Sequence, residues 1–222
     1  MSLRSLRIEA AFGVGKKVRE TEEEARKGFF ELVDNFHRRG SSSYRFIEKA
    51  YIVLENLSIG KLRGDGRAYI SHPREIAVAM ILLGYTDPIM IVVALFHDLL
   101  EDFKEWTFER LATEFGIEVA RGVEVLTRPL LSKEVPTKEI RDKLYIQELN
   151  DAELWIKLVK ILNRLNNMKT YLTYYRHNKK RLKHKIRETE DKILPMAEDI
   201  GYGDDLRAFI EKWLREESQK KH

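Results

Sequence analysis

The chain has 222 residues, 43% of them apolar and 34% charged, and its 40 Lys and Arg against 36 Asp and Glu leave a formal net charge of +4. That length can bury one sizeable core, and so slight a basic excess gives no basis for nucleic-acid binding while suiting a small anionic substrate. With no cysteine, disulfide scaffolds, thiolate metal sites and cysteine nucleophiles are all excluded.

Residues 4–18 are mixed, carry Gly13 and Gly15, and predict a short helix at most. Thr21 with Glu24 makes a capping-box pattern ahead of a helix from Glu22 to about Arg39, with Phe29, Phe30, Leu32, Val33 and Phe36 as its apolar face. Gly40 and the three serines after it break that helix and supply an N-cap for the next, from about Tyr44 to Leu57. Gly60 to Ser71 is a glycine-rich loop holding Arg63 and Arg67, just ahead of His72-Pro73. Pro73 suits the start of a helix from Arg74 to Leu83 that ends at Gly84. Then comes Pro88 to Asp102, PIMIVVALFHDLLED, with Asp87 as N-cap and Pro88 at the first helical position. Thr107 caps a short helix ending near Gly116, Ile117 to Leu126 forms another that stops near Pro129, and Leu130 to Pro136 reads as loop. Thr137 opens a helix to about Leu149, and Asp151 caps a long one from Leu154 to about Tyr171. Asn178 to about Ile200 is helical, kinked or split at Pro195 and ended by Gly201 and Gly203. Asp204 opens a last helix, Leu206 to about Glu217, before a charged, fraying tail. No alternating strand pattern, repeat or low-complexity stretch occurs, so the fold class is all-α, one domain with an N-terminal helical extension. No apolar run has the length of a signal peptide or a bilayer span, so the expectation is a cytoplasmic protein without membrane association.

The chemistry concentrates in Pro88 to Asp102. A run apolar enough to be buried carries His97, Asp98, Glu101 and Asp102, which in one helix share an arc of about 140°. Burying four ionisable groups requires a metal ion, a wet cleft or counter-charges. A second polar stripe lies on the long helix, where Asn163, Asn167 and Thr170 follow spacings of four and three amid aliphatic neighbours. His72, His97, Asp98 and one distant oxygen ligand suit a divalent transition metal: imidazole accommodates Mn, Fe, Co, Ni or Zn, and the carboxylate favours the harder ions. Such an ion acidifies a bound water, Glu101 and Asp102 are placed for acid–base work, and Arg63, Arg67 and Lys169 for neutralising phosphate oxygens. Taken singly, each also has a structural reading: a helix-capping His72, a solvated helix end at Glu101-Asp102, satisfied core amides at Asn163 and Asn167. The basic run Arg176 to Arg187 reads as a solvated helix face with Leu182 and Ile186 toward the core, and nucleic-acid binding through it is a minor alternative.

Four blocks stand in order: R-x8-H-P (Arg63 to Pro73), ALFHDLLED (Ala94 to Asp102), FGIEVARGVEVLTR (Phe115 to Arg128) and KILNRLNNMKT (Lys160 to Thr170). In them the chain resembles the HD superfamily of metal-dependent phosphohydrolases, and more narrowly the alarmone hydrolase domain of the RelA/SpoT family and the small alarmone hydrolases, over roughly residues 45–200. The resemblance implies an HD-domain helical bundle at 45–200, after the N-terminal extension at 1–44 and before a C-terminal helix and tail at 201–222 that pack on the same domain; no synthetase domain is expected. It implies that His72, His97 and Asp98 ligate a metal, usually manganese, with Asn163 at the fourth ligand position. Glu101 and Asp102 would form the acid–base pair beside the attacking water, Arg63 would contact substrate phosphate, and Asn167 and Thr170 the nucleotide. The implied reaction removes the 3′-diphosphate from ppGpp or pppGpp. Three positions depart from the family pattern. The fourth ligand is commonly aspartate and here is Asn163, one negative charge fewer; a lysine commonly follows the arginine and here is Gly64; a threonine commonly follows the Glu-Asp pair and here is Phe103. Two alternatives therefore stay open: hydrolysis of another nucleotide or phosphate ester, and nucleotide binding without turnover.

Overall fold

Side-chain caps start most of the helices. In the computed structural model, which describes residues 2–12, 21–130, 132, 136–174 and 178–219, Ser2 caps α1 (Leu3–Ala11) and Thr21 caps α2 (Glu22–Asp34). The Thr21 hydroxyl accepts from the Glu24 N–H while the Glu24 carboxylate accepts from the Thr21 N–H at 2.8 Å, a complete capping box. Ser41 caps α3 (Ser42–Leu57), α4 (Ser71–Leu82) begins without a side-chain cap, and Asp87 with Pro88 opens α5 (Pro88–Phe96). The four-residue α6 (Leu99–Asp102) follows, then α7 (Phe108–Phe115) capped by Thr107. Next come α8 (Ile117–Leu126), α9 (Lys138–Asp151) capped by Thr137, and α10 (Leu154–Tyr174). Asn178 caps α11 (Lys179–Lys192), which is followed by α12 (Leu194–Asp199) and α13 (Gly203–Gln219). Among the described residues there is no strand; one isolated antiparallel bridge, Leu62 to Ala68, pinches the glycine-rich loop. The fold is all-α. No helix among the described residues is long and apolar enough to cross a membrane. Gly13, Gly15, most of the 130–136 loop, Arg176 at the head of the basic run and the last three residues of the tail lie outside the described residues.

Several expected boundaries move. The helix from Glu22 stops at Asp34, where the Asp34 carboxylate accepts the Arg39 N–H at 2.7 Å and the His37 ring turns to the Thr86 carbonyl at 2.6 Å. Phe36, expected on its apolar face, is 54% exposed as a result. The helix expected at Arg74 begins at Ser71, so His72 lies in its first turn. Asp151 closes α9 instead of capping α10. Pro195 does split the region it was expected to: α11 ends at Lys192 and α12 restarts with the proline in its first turn, where its missing N–H costs nothing. The largest correction is Pro88 to Asp102, which is two helices. The His97 ring takes the Ala94 carbonyl at 2.8 Å, Asp98 adopts φ −109°, ψ 7°, and the chain restarts as α6.

α5 is the centre of the core, enclosed by α3, α4, α8 and α10, with α1 and α2 lying against α4. Ile91 to Phe96 are all 1% exposed or less. Aromatic contacts close the two ends: Phe29 and Phe30 meet Tyr51 at 5.1 Å on one side, and Phe96 meets Phe115 edge-on at 4.9 Å on the other. The α5–α8 crossing is tight enough to require glycine. A Cβ on Gly122 would lie 2.9 Å from Val93 Cγ2 and 3.2 Å from the Trp155 ring. Alanine there gains roughly 1 kcal/mol of helix propensity, but overpacking against a stiff β-branched side chain costs about 1–3 kcal/mol. Gly122→Ala is therefore expected to lower Tm by a few degrees in a thermal melt; a rise would show that the crossing has slack.

Candidate metal centre

The break after Phe96 swings the Asp98 carboxylate back over the ring of its neighbour. Asp98 Oδ2 lies 3.1 Å from His97 Nε2 and 3.7 Å from His72 Nε2, and the two Nε2 atoms are 3.2 Å apart. One ligand atom from each of the three residues falls within 4.8 Å of the others. His72 and His97 are 2% and 1% exposed. The far side of each ring fixes its proton. His97 Nδ1 faces the Ala94 carbonyl and must donate to it; His72 Nδ1 donates to Asn166 Oδ1 at 2.8 Å. With both rings neutral, the two Nε2 atoms are lone pairs facing one another and a carboxylate oxygen. Three electron-pair donors so close repel unless a cation lies among them, and two neutral imidazoles with one carboxylate are a donor set for a divalent transition metal. The residues fit the ion.

Electrostatics agree. Burial pushes the His72 imidazole down to about 4, assisted by Arg63 and His97, so it is neutral at pH 7, the form that ligates.

α10 and the glycine-rich loop form the next wall. Arg63 Nη2 donates to Asn167 Oδ1 at 3.0 Å and to Thr170 Oγ1 at 3.5 Å, and the Asn167 amide donates to Asn163 Oδ1. Asn163 and Thr170 are buried. Arg63, Asn163, Asn167 and Thr170 thus form one connected group. Arg63 Nε and Arg67 Nη2 are buried without a hydrogen-bond partner among the described residues, so each keeps a donor for an anion. The other donors of Arg67 are held by Asp65 at 2.9 Å and Glu75 at 2.5 Å. Lys169 is engaged elsewhere: its ammonium donates to the Phe12 carbonyl and ties α10 to the end of α1.

Glu101 and Asp102 are exposed on α6. Glu101 Oε1 accepts the Arg128 N–H at 2.8 Å, and Asp102 Oδ2 accepts the Tyr69 phenol at 2.6 Å. Burial, with Asp98 and Asp102 nearby, keeps that phenol protonated. Phe103, 2% exposed, packs under the Tyr69 ring edge-on at 5.5 Å, and the Lys61 ammonium sits 3.6 Å from its centre. Sequence reasoning passed over Tyr69, Glu75 and Asn166. Asn166 stands inside a block already singled out but off its i, i+4, i+7 stripe, and Glu75 lies three residues past His72, a spacing that puts both on one face of α4.

An all-α bundle that brings two buried histidines and a half-buried aspartate together at a helix break is the build of an HD domain, and the family described as HD domain matches residues 50–197. The chain belongs to that family, whose domains bind divalent metals and are in general metal-dependent phosphohydrolases. Within it, the chain is similar to proteins of the RelA/SpoT type. It is 31% identical over 164 residues to a GTP pyrophosphokinase of Streptomyces coelicolor, covering 72% of this chain and 18% of that protein. It is 33% identical over 158 residues to a probable GTP pyrophosphokinase of Mycobacterium leprae, 70% of this chain and 19% of the relative. It is 30% identical over 188 residues to the GTP pyrophosphokinase rsh of Brucella melitensis, 82% of this chain and 24% of the relative. The chain thus spans less than a quarter of the length of these relatives.

Proposed function

We propose that this chain is a manganese-dependent hydrolase that removes the 3′-diphosphate from ppGpp or pppGpp, releasing pyrophosphate and GDP or GTP. The observation that carries the reading is the convergence of His72, His97 and Asp98 on one point, next to a wall where Arg63 and Arg67 keep unpartnered guanidinium donors. Similarity to GTP pyrophosphokinases supports a guanine nucleotide as the substrate. His72, His97, Asp98 and the Asn163 oxygen hold the ion, which supplies positive charge to polarise phosphate and to acidify water. Arg63, with Arg67 beside it, pairs with the phosphate oxygens; Asn167 and Thr170 face the nucleotide. Glu101 and Asp102 take the proton from the attacking water and return one to the departing 3′ oxygen. The Tyr69 phenol occupies Asp102 Oδ2 and leaves Oδ1 open for that task. Incubating the purified, Mn-loaded protein with ppGpp and measuring pyrophosphate release tests the reading. No release by the wild type, or undiminished release by His97→Ala, would falsify it.

One observation favours a second reading. Asn163 is neutral and its oxygen already accepts from Asn167, which leaves a centre with a single carboxylate and fits a nucleotide-binding relative without turnover. Asn163→Asp is expected to raise Mn affinity on the order of tenfold, because each added ligand charge tightens a hard-cation site. Titration by electron paramagnetic resonance measures it. Unchanged affinity would remove position 163 from the ligand set, and an Asn163→Asp protein that alone hydrolyses ppGpp would establish the non-catalytic reading for the wild type.

A further inference from the structure

Asn166 is 0% exposed and engaged at both ends of its amide. Nδ2 donates to Glu75 Oε2 at 2.6 Å, and Oδ1 accepts from His72 Nδ1 at 2.8 Å. An ionised carboxylate can only accept, so Glu75 decides which end of the amide is the nitrogen. Asn166 must then present oxygen to His72, the His72 proton is held on Nδ1, and Nε2 is left as a lone pair toward His97 and Asp98. Glu75 is itself anchored from outside. Its Oε1 accepts from Arg67 Nη1 at 2.5 Å, and Arg67 Nε is bound to Asp65 Oδ2 at 2.9 Å. The Glu75 side chain is 15% exposed, so these bonds are made largely out of water.

We propose that Glu75 is a positioning residue for the centre. Acting through Asn166, it selects the His72 tautomer that can bind a cation, and the Asp65–Arg67 pair of the glycine-rich loop holds it in place. It touches neither ion nor substrate. The inference rests on the metal-binding reading above.

Loss of the outer hydrogen-bond partner of a ligating imidazole typically costs about 10–100-fold in metal affinity. Two readouts test the role: Mn affinity by paramagnetic resonance titration, and the nitrogen-15 shifts of the His72 ring in metal-free protein at neutral pH. The wild type is expected to show the proton on Nδ1. Glu75→Ala and Asn166→Ala should mix the tautomers and bind Mn about 10–100-fold more weakly, with folded circular dichroism spectra. Glu75→Gln has one oxygen for two donors, Asn166 Nδ2 and Arg67 Nη1, and should mix the tautomers less than Glu75→Ala does. Wild-type ring shifts in Glu75→Gln with Mn binding as weak as in Glu75→Ala would show that Glu75 acts through its charge, and would overturn the proposal. So would a Glu75→Ala protein with wild-type ring shifts. A wild type that binds no Mn removes the metal reading, while the metal-free ring shifts still decide separately whether Glu75 sets the His72 tautomer.

Discussion

Replacing His97 with alanine is expected to abolish Mn binding and the thermal stabilisation that goes with it. An ion present at about 100 times its Kd stabilises the folded state by about 2.7 kcal/mol. For a chain of this size that is roughly 5–11 °C in Tm. The wild type should show a shift of that order in a melt with and without Mn, and His97→Ala none. The effect exceeds that of any outer partner because His97 has no substitute: its ring is 1% exposed, and its Nε2 lies within 3.2 Å of both other donors. The metal-free proteins carry a second signature. A buried large-to-small replacement usually costs about 2–5 kcal/mol, but here it also removes one of three facing electron pairs, so the metal-free variant should lose less than that range. An equal Mn shift in both proteins would end the metal assignment.

Removing one carboxylate that pairs only with cations should cost more in stability. The Glu188 side chain is 9% exposed and faces three cations: Lys185 at 2.8 Å, Arg164 at 3.4 Å and Arg128 at 3.5 Å. Burial alone would raise its carboxyl; the Lys185 hydrogen bond and the Arg164 charge outweigh it and bring it down to about 2. Glu188→Ala leaves Arg164, 7% exposed, without its carboxylate, and uncompensated buried charge costs about 3–5 kcal/mol. The Tm should fall by roughly 6–20 °C. The pH dependence has a definite sign. With the folded value depressed, the stabilisation is present above the ordinary glutamate value near 4.5 and is lost as pH falls toward about 2. Denaturant titrations across that interval should show a wild-type slope that Glu188→Gln flattens. A Glu188→Ala protein as stable as wild type would mean that the arginines find water as readily as carboxylate.

What could be read from the chain was what local chemistry decides. Thr21 with Glu24, Asp87 with Pro88, Thr107, Thr137 and Asn178 all open helices because a cap needs only its own next turn. His72, His97 and Asp98 could be named together because a buried apolar run cannot carry such groups without company. The break at His97 could not be seen, since the apolar periodicity of α5 continues into Leu99 and Leu100 and only a side chain bonding the Ala94 carbonyl interrupts it. Lys169 read as a phosphate ligand by its position in a basic, polar block; its contact with the Phe12 carbonyl depends on α1, more than 150 residues away along the chain. Glu75 and Asn166 escaped notice for the same reason. Their meaning lies in a pairing between α4 and α10 that no single-helix pattern contains.

Phe103 stands where the family commonly has a small hydroxyl residue, and it is clamped between Lys61 and Tyr69. Tyr69 in turn grips Asp102. The arginine-bearing loop and the acidic turn are therefore fastened into a single jaw. Displacing either half should therefore be felt by the other, and a substitution that frees the Tyr69 ring is expected to loosen both together.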